Sequence, residues 1–145
     1  MEPRVSYVVG RLERVLRRRL TAAVEPTGLT LPAYTALSVL RVQDGLSNAQ
    51  LARRSLVTPQ SMSEVLGQLV DLEYVRRRAA PGHGRVIRNE LTAAGRRALE
   101  RCDKAVDAVE REMVSDLDDD EGATLRDALI RCSRALEHAL AQAAG

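Results

Sequence analysis

Between residues 58 and 68 the sequence reads TPQSMSEVLGQ. It sets Gln60, Ser61, Ser63, Glu64 and Gln68 at intervals of one to four residues. On a helix these side chains share the face opposite Met62, Val65, Leu66 and Leu69. Amides and hydroxyls so arranged donate and accept hydrogen bonds; they do not activate a nucleophile. A second set follows. Arg76, Arg77, Arg78, Arg85 and Arg88 lie between Tyr74 and Asn89 without an intervening acid. Guanidinium groups in that density suit an anionic partner. The counter-cluster lies downstream, where Glu110, Glu112, Asp116, Asp118, Asp119, Asp120 and Glu121 face Arg111 alone. Net charge is only +2, so what marks this chain is the layout of charge.

Other chemistries find little support. The sequence has no glycine-rich phosphate loop, no nucleophile elbow and no HExxH, and no enzyme activity or cofactor is expected. His83 and His138 are the only histidines, and Cys102 and Cys132 the only cysteines, without metal-ligand spacing. The acidic run at 118–121 reads as a helix start whose carboxylates complement the N-terminal dipole. No apolar run approaches a membrane span, and the first twenty residues carry charges throughout. A cytoplasmic protein with no membrane contact is expected.

The elements that must position these residues follow from periodicity. The chain has 145 residues, 45% apolar, mostly Leu, Val and Ala with no Phe or Trp, which points to a mainly helical protein. Val5, Val8, Val9, Leu12, Val15, Leu16 and Leu20 predict an amphipathic helix over 4–23. A second is predicted over 31–42, with Pro32 in its first turn and Gly45 beyond its end. Ser47 caps a short helix over 48–55 with Leu51 and Ala52 inward. Thr58 caps another, with Pro59 at its favoured first position, running to 72. Only Leu56 and Val57 separate these two. Strands are predicted over 74–78 and 85–91, joined by the turn Ala79-Ala80-Pro81-Gly82-His83-Gly84. Thr92 caps a long helix with Ala94, Ala98, Cys102, Ala105, Val106, Val109 and Met113 on one side. Residues 117–122 are expected to form an acidic turn, and a last helix spans about 121–143.

Two short helices joined by a tight turn make a helix-turn-helix. The second would enter a DNA major groove, about 12 Å wide, with its N-terminal side chains against base edges. The basic hairpin would be a wing reaching phosphates or an adjacent minor groove. The expected fold is therefore mainly α with a small β-hairpin: a winged helix-turn-helix flanked by long N- and C-terminal helices. The DNA-facing set is Ser47, Thr58, Pro59, Gln60, Ser61, Ser63, Glu64, Gln68, Arg77, His83, Arg85 and Arg88.

The segments LSNAQLARRSLVTPQSMSEVLGQLVDLEYVRRR and GRVIRNELTAAG, in this order, resemble the MarR family of bacterial regulators (multiple antibiotic resistance regulators). The family's leucine-alanine pair in the supporting helix is matched by Leu51-Ala52. Its Leu-Thr-x-x-Gly start of the long helix is matched by Leu91-Thr92-Ala93-Ala94-Gly95. Many members brace the wing-tip arginine with a preceding Asp; here Pro81-Gly82-His83-Gly84 precedes Arg85. Glu64 stands where a basic or small polar residue is common. It would accept from a cytosine amino group or pair with an arginine, and pairing is the favoured reading.

The resemblance implies a transcriptional regulator, a repressor in function, acting as a homodimer on near-palindromic double-stranded DNA. The organisation it implies is an N-terminal dimerisation helix (1–30), a DNA-binding lobe (31–92) and C-terminal dimerisation helices (93–145). It further implies release by a small aromatic or phenolic ligand where the dimer helices meet the DNA-binding lobe. Tyr7, Arg11 and Tyr34 lie on the segments that would build that site. One branch of the family senses peroxide through an N-terminal cysteine, which this chain lacks. Both cysteines fall on apolar stripes and are expected to be buried as small hydrophobes. Two other readings stay open: a DNA-binding protein with no ligand input, and a helical interaction module whose basic hairpin binds an acidic partner.

Overall fold

The structure is a computed structural model; it describes every residue of the chain except His83. The expected place of His83 in the wing tip therefore lies outside the described residues. The element order is α1 (Val5–Val24), a short 3-10 turn (Glu25–Thr27), α2 (Leu31–Val42), α3 (Asn48–Arg54), α4 (Pro59–Asp71), β1 (Val75–Ala79), β2 (Ile87–Leu91), α5 (Ala93–Met113) and α6 (Asp119–Ala143). The chain divides into two compact units, Met1–Val109 and Glu110–Gly145.

In the first unit, the caps read from sequence form. Thr58 accepts from the Ser61 amide, and Thr30, which the sequence reading did not single out, accepts from that of Ala33. Ser47 and Gln50 make a reciprocal capping box on α3. Thr92 accepts from Gly95 at 3.0 Å and donates to the Glu73 carbonyl at 2.7 Å. The core is continuous across these elements. Leu37, Leu40, Leu51, Met62, Leu66, Leu69 and Leu99 are fully buried, with Val24 and Cys102 beside them. Leu99 was not in the apolar stripe read for α5, yet it is among the most enclosed residues. Burying one such side chain stabilises the fold by roughly 1.5–3 kcal/mol. The Leu-Thr-x-x-Gly motif has a steric basis: a Cβ on Gly95 would lie 2.2 Å from the Tyr74 carbonyl oxygen.

The hairpin is antiparallel, with Arg76 opposite Glu90, Arg77 opposite Asn89 and Arg78 opposite Arg88. Leu46 adds an isolated bridge to Asn89, tying the segment before α3 to the wing. Arg85 falls in the turn before β2, not in the strand that sequence pattern extended to it. The reason is the tip: Gly82 and Gly84 adopt φ of +76° and +63°, and pairing resumes only past Arg85, with the Ala80 amide on the Val86 carbonyl at 2.9 Å and the strand register from Ile87.

In the second unit, Asp118 and Glu121 form a capping box, and α6 begins at Asp119, within the stretch expected to be a turn. No α6 residue is buried. The expected burial of Cys132 is accordingly corrected: Cys132 is exposed in the single chain, whereas Cys102 is buried. Ile130, Leu136 and Leu140 are exposed on α6, as are Val5, Val8, Val9 and Val15 on α1. Among the described residues no helix is long and apolar enough to cross a membrane.

Candidate nucleic-acid interface

The exposed side of α4 and the wing form the candidate interface. Thr58 Oγ1 accepts from the Ser61 amide at 3.1 Å and donates to Ser61 Oγ at 3.0 Å. Pro59 occupies the first helical turn, where its missing N–H costs nothing. Gln60, Ser61, Ser63, Glu64 and Gln68 are all exposed, while Met62, Leu66 and Leu69 hold the opposite side in the core. The helix therefore has one orientation relative to the core, and its polar residues are committed to the outside. No arginine pairs with Glu64 among the described residues, so the favoured arginine pairing is not seen.

The tight turn that brings α3 onto α4 has its own cost. Leu56 adopts φ of +56°, a left-handed conformation unfavourable to a side chain with a Cβ. Leu56 is 87% exposed, so packing does not explain its presence there.

The wing arginines do not act alike. Arg76 Nη2 and Arg78 Nε lie 3.1 and 3.2 Å from the same Glu90 oxygen. Arg88 Nη1 donates to the Gly45 carbonyl at 3.2 Å, turning back toward the protein. Arg77 and Arg85 instead line a cleft with Ser47, Asn48, Ala49, Ser63, Val86 and Ile87. The cleft holds two guanidinium groups and no carboxylate, which makes it a seat for hydrogen-bond acceptors or anions. It brings Ser47, Ser63, Arg77 and Arg85 from the sequence-derived set together; Gln60 and Gln68 lie outside it on α4, and Arg88 is partly engaged elsewhere.

Two residues important to this geometry were not singled out from sequence. Asn89 is fully buried on β2, and its Nδ2 donates to the Leu46 carbonyl and to Asn48 Oδ1, both at 3.0 Å. Asn48 Nδ2 in turn reaches Ser63 Oγ at 3.3 Å. The signal was present: Ile87, Asn89 and Leu91 share one side of a strand, so period-two alternation turns Asn89 inward.

The residues proposed for a ligand lie on two helices, Tyr7 and Arg11 one turn apart on α1 and Tyr34 on α2. Tyr34 donates its hydroxyl to Asp103 Oδ1 at 2.8 Å, and Arg41 pairs with the same carboxylate, tying α2 to α5. Burial, and next the hydrogen bond to Asp103, push the Tyr34 phenol up to about 12. Tyr7 and Arg11 are exposed on α1. None of the three lines the cavity of about 410 Å³ at the inner side of α1. That cavity is walled by Leu16, Leu20, Leu31, Pro32, Val57 and Met62, with Arg17, Thr21 and Thr35 among its polar residues. Ser55 also lines it, and its buried hydroxyl has no partner. Among the described residues no cluster of His, Cys, Asp and Glu could hold a metal ion.

A model of the MarR family matches residues 27–86. The HTH-type transcriptional repressor Rv2887 of Mycobacterium tuberculosis is 40% identical over 113 residues, 78% of this chain and 81% of the relative. Its crystal structure in complex with DNA is similar to this chain with a TM-score of 0.75 at 34% identity, covering 90% of this chain and 98% of that one. A structure of Rv2887 with salicylic acid gives a TM-score of 0.75 at 35% identity, covering 90% and 97%.

Proposed function

Because the chain belongs to the MarR family of winged helix-turn-helix regulators, we propose that it is a transcriptional repressor that reads double-stranded DNA as a homodimer. The observation that carries this reading is the exposed polar side of α4, set beside an arginine-lined, acid-free cleft in the wing. Gln60, Ser61, Ser63, Glu64 and Gln68 face base edges in the major groove, and Arg77 and Arg85 engage phosphate or the adjacent minor groove. Similarity to a repressor whose structure with DNA is known supports the same reading. The exposed apolar residues of α1 and α6 support pairing with a second copy through residues 1–30 and 93–145. The test is selection of genomic fragments by the purified protein. The expected result is a recurring near-palindrome beside a small set of genes; fragments of random sequence would contradict it.

The proposed signal is a small aromatic carboxylate, supported by the salicylic acid complex of Rv2887 and by the cavity along α1. A ligand releases DNA only if it prefers the DNA-incompetent arrangement. Calorimetry with salicylate distinguishes two seats. Thr21→Phe, which fills the cavity, abolishes binding there; Arg11→Ala abolishes it if the seat is built from Tyr7, Arg11 and Tyr34.

A further inference from the structure

The polar chain from the wing to the reading helix has a fixed direction. Its anchor is the backbone carbonyl of Leu46, which can only accept. The Asn89 amide atom facing it at 3.0 Å is therefore the nitrogen. That same nitrogen lies 3.0 Å from the Asn48 amide, so its second hydrogen points there and the Asn48 atom it meets is the oxygen. Asn48 then has only its nitrogen left to turn toward Ser63, at 3.3 Å. A single backbone carbonyl thus sets the orientation of two side-chain amides, and the last of them donates to the serine.

Ser63 Oγ accepts from Asn48, and no other hydrogen bond of the Ser63 hydroxyl is present among the described residues. A hydroxyl carries one proton and two lone pairs. With its oxygen engaged by a donor, the proton cannot point at Asn48 and is left for a partner outside the pair, on the cleft that Ser63 lines with Arg77 and Arg85. Resting on the DNA-reading role proposed above, we propose that Asn48 is a positioning residue that keeps the Ser63 proton from turning inward. Ser63 therefore holds its proton available for an acceptor on the DNA, either a base-edge atom (purine N7, guanine O6, thymine O4) or a phosphate oxygen.

Asn89 makes this polarity robust. It is fully buried and its nitrogen satisfies two acceptors while its Oδ1 has no partner; inverting its amide would set oxygen against the Leu46 carbonyl and lose both bonds. A serine alone on a helix surface rotates freely and reads donors and acceptors alike. Held by Asn48, it cannot turn its proton inward, and that proton stays available to the DNA.

The test uses the full-length protein and its selected DNA site. In one series, single bases are replaced by analogues lacking one acceptor: 7-deazapurine for N7, 2-aminopurine for guanine O6, and 5-methyl-2-pyrimidinone for thymine O4. In the other, single phosphates are replaced by methylphosphonate. For the wild type, one position per half-site loses about three- to ten-fold in affinity through this contact, as expected for a single hydrogen bond. Ser63→Ala, an exposed change to a good helix former, removes the penalty at that position and no other. The series in which it vanishes identifies base edge or phosphate. Asn48→Asp keeps the acceptor for Asn89 but offers Ser63 a second acceptor, so the serine proton turns inward. The penalty at that position disappears, and a base presenting an amino group becomes the preferred partner if the contact is to a base. Asn48→Ala leaves the serine free and lessens the penalty at that position without removing it. The inference is overturned if Ser63→Ala matches the wild type at every probe, or if both Asn48 variants keep the wild-type pattern while binding DNA. If no duplex is bound by the wild type, the DNA-reading role itself fails and the inference falls with it.

Discussion

Gly95 lies so close beneath the Tyr74 carbonyl that any Cβ would collide with backbone. Gly95→Ala must therefore push α5 away from the wing's first strand, and overpacking of this kind costs about 1–3 kcal/mol or more. Urea denaturation should show that loss, while Gly122→Ala, with open space around it, should not. Arg85 behaves differently, because its contribution is to binding. Arg85→Ala should weaken association with every DNA sequence and lower the slope of log affinity against log salt by about one. Gln60→Ala should instead change which sequence is preferred; filter binding across a salt series and a sequence panel measures both. Tyr34 gives a pH signature. Its phenol is raised from 10.0 to about 12 in the folded chain, first by burial and then by the bond to Asp103. The unfolded chain therefore releases this proton first. Tyr34's contribution to stability is complete below pH 10 and is lost as pH rises through about 12. Tyr34→Phe should flatten the alkaline decline of stability in that window, measured as the difference between the two denaturation midpoints.

At the scale of elements, local chemistry made much of the fold legible. Ser47, Thr58 and Thr92 mark helix starts through hydrogen bonds spanning three residues, Pro59 through its fixed φ at the first helical position, and the structure places those starts accordingly. The stripe Met62, Leu66 and Leu69 gave the buried side of α4, and hence its exposed polar side. What escaped is non-local. Asn89 meets Leu46 and Asn48 across 43 and 41 residues, and no local periodicity predicts such a partnership. Glu90 lies just past the arginine run and neutralises two of its members, so counting charge overstated the free wing arginines. The start of α6 was placed late because consecutive acids read as a turn, whereas Asp118 and Glu121 cap the helix reciprocally. The turn between α3 and α4 offers its own prediction. Leu56 holds a left-handed backbone while almost fully exposed, so Leu56→Gly removes strain and forfeits little burial. Stability should stay equal or rise by up to about 1 kcal/mol, although glycine also gives the unfolded chain more freedom. A clear loss in thermal denaturation would mean that Leu56 is held by packing absent from the single chain.

At the scale of the molecule, exposed apolar side chains are the unfinished part of the structure. Val5, Val8, Val9 and Val15 on α1 and Ile130, Leu136 and Leu140 on α6 lie open in a single chain. The proposed homodimer covers them and relates two α4 helices by a two-fold axis. Two-fold symmetry in the protein requires near-palindromic DNA, with half-site centres about 34 Å apart along the duplex. Hydroxyl-radical footprinting of the selected site, with the mass of the complex determined by light scattering, tests this most directly. The account predicts two symmetry-related protected tracts about one helical turn apart and two protein chains per duplex. A single protected half-site carrying one chain would contradict it.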